Sequence, residues 1–275
     1  MKLRSLPFGQ IALIAVLSAL SLLILVPFYL IFVNSLKSPA EASELGLAFP
    51  SKWEWGNYEK VFEVAKLPLA FTNSVVLTFS SVAIILITAA MAAFVMQRRK
   101  DGLSSTLNVL VMLGLVVPPA IVPLYKVLSF FQLNGTILGV VLINVATRSP
   151  LSVFLAHQFL KSISKEIDEA AIIDGCGKYK LFFRIVLPLM GPIIVTLFIF
   201  NATFVWNDFM YVLYFLSSGQ QMTLPLTMYL FTGQYGSMWN LVFANILIIS
   251  APLLIVYFFA QRFIIAGMTA GAIKG

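Results

Sequence analysis

Long stretches without a charged residue dominate this sequence and restrict what it can fold into. From position 209 to position 261 no residue is charged, and shorter stretches of the same kind occur earlier in the chain. With 60% hydrophobic residues, 11% charged residues and a mean hydropathy of +0.96, the 275-residue chain is too apolar for a water-soluble domain. We therefore predict an all-α integral membrane protein.

Six stretches are long enough to cross a bilayer, since a helix needs about 20 apolar residues to span the hydrocarbon core. Turn-prone segments at 217–221 and 233–237 separate the last stretch from two shorter apolar pieces, which we place at the outer surface. One arginine, Arg148, lies inside the fourth stretch. The predicted spans cover residues 11–33, 73–96, 103–125, 137–159, 185–207 and 241–261.

Lysine and arginine are distributed unevenly between the connectors. Twelve lie in the two termini, the connector around Arg98 and the connector at 161–184, whereas four lie in the connector at 37–71. Because positive residues concentrate in cytoplasmic connectors, both termini, the 161–184 loop and a tail at 262–275 are predicted to be cytoplasmic. This distribution suits the topology of a multi-pass protein of the cytoplasmic (inner) membrane better than a basic face for nucleic acid.

The 161–184 loop is predicted to contain a short helix over about 165–174. Ser164 is a suitable N-cap, acidic residues follow in the first turns, and Gly175 fits the C-terminal end. Small residues on one face of this helix would let another surface approach its backbone closely. From these residues alone, a docking element and a solvated loop that only enforces topology remain equally open.

A specific pattern begins in this loop: Glu169-Ala170-Ala171, three residues, Gly175, nine residues, then Ile185-x-Leu187-Pro188. It resembles the signature loop of the membrane subunits of ABC importers. The similarity extends over essentially the whole chain to permeases of the carbohydrate-importing, maltose-system-like group. It is carried by Trp206-Asn207-Asp208-Phe209, Thr223-Leu224-Pro225, Gln261-Arg262-Phe263 and the glycine-rich tail at 267–275; Ser164 and Cys176 stand where relatives often have proline and alanine.

The resemblance implies the type I ABC importer permease fold, with one single transmembrane domain over residues 1–275, and the shorter, six-span permease of a pair. It implies a second permease subunit, two ATP-binding cassette subunits and an extracytoplasmic sugar-binding protein as partners. The chain itself would bind no cofactor, since ATP and Mg would be used by the partner ATPase. The implied ATPase-coupling residues are Glu169, Ala170, Ala171, Asp174, Gly175, Leu187 and Pro188, with a tail contact through Gly271 and Lys274.

Polar and aromatic side chains in or beside the spans are candidates for a sugar path, since sugars are bound by planar polar groups and aromatic faces. Such residues more often make hydrogen bonds between helices or anchor the chain at the membrane interface. Arg148 could also pair with carbonyl groups or reach toward water. The candidates are Asn144, Arg148, Asn201, Trp206, Asn207 and Asn245.

Rival functions find less support in the sequence. Gly177-Lys178 lacks the remaining residues of a phosphate-binding loop, so no ATPase site is expected in this chain. A stand-alone secondary carrier would place more ionisable residues inside spans, and an intramembrane enzyme would show paired carboxylates or a histidine cluster. With one His and one Cys, a metal site is not expected either. An ABC permease for a solute other than a sugar remains the nearest alternative.

Overall fold

The computed structural model describes residues 8–99, 101–216, 219–233 and 236–272 of the chain, and this part is mainly helical. A π-helix (Phe182–Val186) follows α9, and a 3-10 helix (Met228–Phe231) follows α13. Two short strands, β1 (Thr232–Gly233) and β2 (Gly236–Ser237), pair antiparallel. The α-helices are α1 (Phe8–Ser35), α2 (Pro39–Ser43), α3 (Gly56–Val64), α4 (Leu67–Arg98), α5 (Gly102–Val116), α6 (Ile121–Phe130), α7 (Ile137–Leu160), α8 (Glu166–Ile173), α9 (Lys178–Leu181), α10 (Leu187–Leu189), α11 (Gly191–Trp206), α12 (Met210–Phe215), α13 (Leu224–Thr227) and α14 (Trp239–Ala272).

Four helices among the described residues are long and apolar enough to cross a membrane. They are α4, α7 and the stretches Val16–Ser35 and Trp239–Phe258 of α1 and α14. A fifth span arises if Lys178–Leu189 and Gly191–Trp206, which meet at an angle of 74°, are counted as one bent span. An α-helix pairs its backbone N–H and C=O groups with one another, which is what the hydrocarbon core requires.

The interval 103–125, predicted as one span, is divided between two shorter helices. Helix α5 ends at Val116 and α6 begins at Ile121, with extended backbone at Val117 and Ala120. Pro118 and Pro119 lie between them. Proline has no N–H to donate and disfavours helical backbone in the residue before it, so the double proline breaks the helix here.

The chain forms two compact units, one of Met1–Leu67 with Thr227–Ala251 and one of Pro68–Leu226 with Pro252–Gly275. In the first unit, buried amide side chains link segments that are distant in sequence. The Asn57 amide donates to the carbonyls of Ser35 and Lys37 at 2.9 and 3.0 Å, and its oxygen accepts from Asn240 at 2.8 Å. These bonds fix α3 and the start of α14 to the end of α1.

The second unit has its apolar core around α7. Helix α5 packs closely on α7 at Gly114, where an added Cβ would lie 2.6 Å from Cγ of Pro150. Only glycine fits at this contact because any side chain would collide with the proline ring. A separate apolar cluster joins α4 and α7 to the segment around α8 and α9; it includes Ala93, Leu160, Ala171, Phe182 and Val186.

The helical segment that leads into α11 contains a π-turn and a bend. The Leu187 N–H donates to the Phe182 carbonyl, five residues back instead of four. Pro188 follows directly, and the helix direction changes by 74° between Leu189 and Gly191. The extra residue in the π-turn and the missing proline donor together account for the change in direction.

Candidate functional site

Helix α8 lies within the predicted docking loop and is slightly shorter than predicted. It begins at Glu166 and ends at Ile173, with Glu166, Asp168 and Glu169 in its first turn, where negative charge complements the helix dipole. Ser164 was the expected N-cap. The structure places Lys165 there without a side-chain cap, while the Ser164 hydroxyl accepts from the Glu166 N–H at 3.2 Å.

The C-terminal end of α8 closes through Gly175, which has a φ of +76°. The Gly175 N–H donates to the Ile172 carbonyl at 3.0 Å, and the Cys176 N–H donates to the Ala171 carbonyl at 2.9 Å. This pair of bonds is the Schellman motif, whose left-handed residue is usually glycine because a side chain would be strained there. The glycine that the sequence singled out therefore has a definite conformational role.

A buried ion pair attaches α8 to the end of α4. Arg98 Nε lies 2.5 Å from Asp168 Oδ2, and the two side chains are only 12% and 10% exposed. Arg98 Nη2 also donates to Asp168 Oδ1 at 3.3 Å. Beside the pair, Ala171 is buried in the cluster that contains Leu160 and Phe182. One face of α8 is thus fixed to the membrane-spanning helices.

The remaining surface of α8 faces away from the protein. Glu169, Ala170, Asp174 and Gly175 are exposed, whereas Ala171, expected on the same face as Ala170, is buried. Ile173 and Tyr179 are exposed to 84% and 83%, although both are apolar or aromatic. Leu187 is half-buried and Pro188 exposed, both beyond the π-turn. An exposed apolar surface beside acidic residues is a feature of an interaction site more than of a solvated loop.

The two tail positions of the prediction lie at the end of the chain. Gly271 falls in the last turn of α14, and Lys274 lies outside the described residues.

A buried polar cluster joins two of the predicted sugar-path residues to a carboxylate. Arg148 Nε donates to Asn144 Oδ1 at 3.1 Å, and Asn144 Nδ2 donates to Asp208 Oδ2 at 3.3 Å. Asp208 Oδ1 in turn accepts from the Tyr211 N–H at 3.1 Å, at the start of α12. Asn144 is fully buried. Its amide therefore relays hydrogen bonding between a cation and an anion that do not touch.

The guanidinium of Arg148 is held over an aromatic ring, with Cζ 4.7 Å from the Phe204 centroid. The backbone carbonyl of Arg148 accepts from Ser152 Oγ at 3.0 Å, and Ser152 Oγ accepts from Asn201 Nδ2 at 3.0 Å. Asn201 of α11 therefore joins the cluster through Ser152, which lies one turn further along α7 than Arg148. Within the described residues, the Arg148 Nη atoms make no protein hydrogen bond, so they can serve a ligand.

The other three predicted sugar-path residues make different contacts. Trp206 packs edge-on against Phe71 and lines a small apolar pocket of about 80 Å³. Asn207 is exposed and donates to the Thr203 carbonyl at 2.8 Å. Asn245 belongs to the first unit, where its amide donates to Thr227 Oγ1 at 2.9 Å. Of the six candidates, Asn144, Arg148 and Asn201 are brought together in one hydrogen-bonded cluster.

Asp208 belongs to the cluster but was not among the predicted sugar-path residues, because it lies just beyond the predicted span 185–207. Burial raises the pKa of Asp208, while the hydrogen bonds from the Tyr211 N–H and Asn144 and the charge of Arg148 act to lower it. A signal was present in the sequence: Asp208 is the only acidic residue after Asp174. Among the described residues, no group of three His, Cys, Asp or Glu side chains is arranged to hold a metal ion.

A protein family and several individual proteins match this chain over more than nine-tenths of its length. The family described as "Binding-protein-dependent transport system inner membrane component" matches residues 5–269. The melibiose/raffinose/stachyose import permease protein MelC of Bacillus subtilis (strain 168) is 34% identical over 253 residues, covering 91% of each chain. The probable starch degradation products transport system permease protein AmyC of Thermoanaerobacterium thermosulfurigenes is 34% identical over 256 residues, covering 93% of each.

A solved structure shares the fold. The crystal structure of a bacterial ABC transporter involved in the import of the acidic polysaccharide alginate contains a chain that superposes with a TM-score of 0.80. The two chains are 20% identical, and the match covers 95% of this chain and 98% of the other. At this identity the likeness shows that the two chains have the same fold.

Proposed function

The chain belongs to the family of binding-protein-dependent transport system inner membrane components, and from this membership we propose that it is a permease subunit of an ATP-driven sugar importer. It translocates a sugar or oligosaccharide that an extracytoplasmic binding protein delivers. The relatives named for melibiose, raffinose and starch products support this substrate class, since each covers more than nine-tenths of the chain. The chain is a transport subunit, and ATP with Mg²⁺ is used by a separate ATPase.

Helix α8 is the element through which this ATPase drives the permease, and its geometry is the observation that carries the proposal. The buried Arg98–Asp168 pair and Ala171 fix one face of α8 to the membrane helices. Glu169, Ala170 and Ile173 are left exposed on the outside. A helix fixed on one side and exposed on the other transmits a push to the helices to which it is attached.

The proposed assembly has a second permease subunit, two ATPase subunits and a binding protein. Helices α5 and α6 together take the place of the third of six spans, and both termini and α8 lie in the cytoplasm. The positive-inside bias of the connectors supports this orientation. A complex of an alginate ABC transporter with a ligand-bound periplasmic protein supports the binding protein as a partner; it matches 76% of this chain at a TM-score of 0.60.

The cluster around Arg148 is the proposed contact with the sugar. A guanidinium whose Nη atoms have no protein partner can donate two parallel hydrogen bonds, which suits a pair of neighbouring hydroxyl oxygens. Asp208 balances its charge through Asn144, so the cluster favours a neutral ligand. Phe204 adds an aromatic surface of the kind that packs on sugar rings.

A pair of glycine variants tests the coupling role. Gly175→Ala places a side chain at a φ of +76°, which costs about 1–2 kcal/mol, and should distort the end of α8. Gly177→Ala is the matched control, because Gly177 has a φ of −72° and nothing within 4 Å of an added Cβ. The whole importer is expressed with each variant, and ATPase co-purification and uptake of radiolabelled raffinose, melibiose and maltotriose are measured.

We expect Gly175→Ala to reduce both ATPase recovery and uptake severalfold, and Gly177→Ala to leave both unchanged. Equal behaviour of the two variants would contradict the coupling role of α8. Uptake without ATP, driven by an ion gradient in vesicles, would contradict the importer itself. If the wild-type importer moves amino acids or peptides but none of the sugars, the proposed substrate class is wrong, while the role as an importer subunit stands.

A further inference from the structure

A groove with a cationic rim lies along the second half of α4. Its outer recess, of about 410 Å³, is lined by Phe94, Phe182 and other apolar side chains, and by the cations Arg98, Arg99 and Lys178. An inner recess of about 360 Å³ is wholly apolar and extends to Ala83. Both recesses are lined by Phe182 and Phe183, so they adjoin each other, and the two together are called here the α4 groove.

The length of the α4 groove matches one membrane leaflet. Ala83 lines its inner end and Arg98 its outer rim. The distance between these two residues is about 22 Å along the helix axis, at 1.5 Å per residue. Half of a bilayer, including the headgroups, is about 20–22 Å thick. The rim also lies on the side that the lysine and arginine bias assigns to the cytoplasm. An acyl chain in the inner recess would therefore place its headgroup at the rim.

The charges at the rim favour a negative headgroup. None of the residues lining the two recesses, all of which belong to the described part of the chain, is acidic. Lys178 makes no ion pair within the described ranges. Arg98 is paired with Asp168 and Arg99 with Asp101, so the unbalanced positive charge of the rim comes from Lys178. A negative headgroup at the rim would balance this charge.

We propose that the α4 groove binds an anionic phospholipid of the cytoplasmic leaflet, with its phosphate at Lys178 and Arg98 and an acyl chain along Phe183 to Ala83. Basic pockets between membrane helices on the cytoplasmic face are suited to such headgroups. Because Arg98 also holds Asp168 of α8, the lipid site adjoins the attachment of the helix proposed to receive the ATPase. The lipid site itself does not depend on which solute is transported.

The test measures which lipid stays with the complete importer. The assembly is purified in mild detergent, and retained phosphatidylglycerol and phosphatidylcholine are quantified by mass spectrometry after exposure to an equal mixture of both. We expect phosphatidylglycerol to be retained preferentially. Lys178→Gln should reduce its retention roughly fivefold, and Lys178→Gln with Arg99→Gln further still. The matched control is Lys180→Gln, on the same short helix but outside the groove lining, and it should retain the wild-type amount.

A second pair of variants tests the apolar part of the groove. Ala83→Phe fills the inner recess and should reduce lipid retention, whereas Ile84→Phe, its exposed neighbour outside the lining, should not. Equal losses in Lys178→Gln and Lys180→Gln, equal retention of the two lipids, or displacement of the lipid by 10 mM inorganic phosphate would overturn the proposal. Loss of the second permease subunit from Ala83→Phe would also overturn it, since the groove would then be a protein interface.

Discussion

Two arginine–aspartate links in the second unit combine the same residue types in two different ways. Arg98 contacts Asp168 directly, and both side chains are almost completely buried. Arg148 reaches Asp208 only through the amide of Asn144, which donates to the carboxylate and accepts from the guanidinium. The direct pair joins two helices, whereas the relayed pair leaves the far side of a guanidinium free.

The difference shows how a membrane protein can use one charge for structure and another for recognition. A direct buried pair neutralises the cation and holds two helices in one arrangement, and it is costly to break. When an amide lies between the charges, the carboxylate still balances the charge of the arginine, while the Nη atoms remain available to a ligand. In this unit the first arrangement lies beside the exposed surface of α8, and the second lies between α7 and the start of α12.

The largest effect is expected when the direct pair is broken. Asp168→Ala leaves Arg98 buried without its carboxylate, and removing one partner of a buried pair costs about 3–5 kcal/mol. We expect a clear loss of thermal stability of the purified importer and a loss of ATPase co-purification. Lys52→Ala is the control, because the Lys52–Glu54 pair is exposed and such pairs contribute about 0–1 kcal/mol. If both variants lose the same stability, the Arg98–Asp168 pair does not hold α8.

A smaller, more selective effect is expected at the relayed pair. Arg148→Gln removes a charged donor, and hydrogen bonds to charged groups contribute about 1.5–3 kcal/mol, which corresponds to a tenfold or greater rise in the KM for the transported sugar. ATPase co-purification should stay at the wild-type amount. Arg148→Lys keeps the charge without the planar fork, so its KM should lie between that of the wild type and that of Arg148→Gln. A KM that is unchanged in Arg148→Gln would show that the guanidinium does not contact the solute.

The smallest effect is expected from Asp208→Asn, which keeps an oxygen that can accept from Asn144 but removes the negative charge. The guanidinium of Arg148 would then be unbalanced. We expect the rate of neutral sugar uptake to fall only about twofold to threefold, while inhibition by an acidic oligosaccharide strengthens. Competition between raffinose and an alginate trisaccharide measures this shift. A loss as large as in Arg148→Gln would indicate that Asp208 acts on the solute itself, so that the relay does not describe the cluster.

Local features of the docking loop could be predicted from the sequence because they depend on neighbouring residues. The acidic first turn and Gly175 define the ends of α8 to within a residue or two of the predicted helix. The left-handed conformation of Gly175 follows from its position after a short helical pattern. The long apolar helices α1, α4, α7 and α14 were likewise visible as apolar stretches, since such stretches depend only on composition over about 20 residues.

Features that depend on distant parts of the chain were not predictable. Arg98 and Asp168 are separated by 70 residues, and no local pattern indicates their contact. Asp208 follows an apolar stretch and was assigned to the outer surface, because the sequence does not show that α7 supplies an amide next to it. The interval around Pro118 and Pro119 was predicted as one span, whereas the structure ends one helix and begins another there.

The π-turn at Phe182–Val186 makes chain length itself a constraint in this part of the protein. Each residue of an α-helix turns the chain by about 100°, so the extra residue rotates everything before the turn by that amount relative to everything after it. Deleting one residue there would rotate Leu181 and Phe182 out of the cluster that also holds Val186 and Leu187. Conservative substitutions in this stretch are compatible with the fold, whereas a single insertion or deletion would reorient α8 relative to the bilayer.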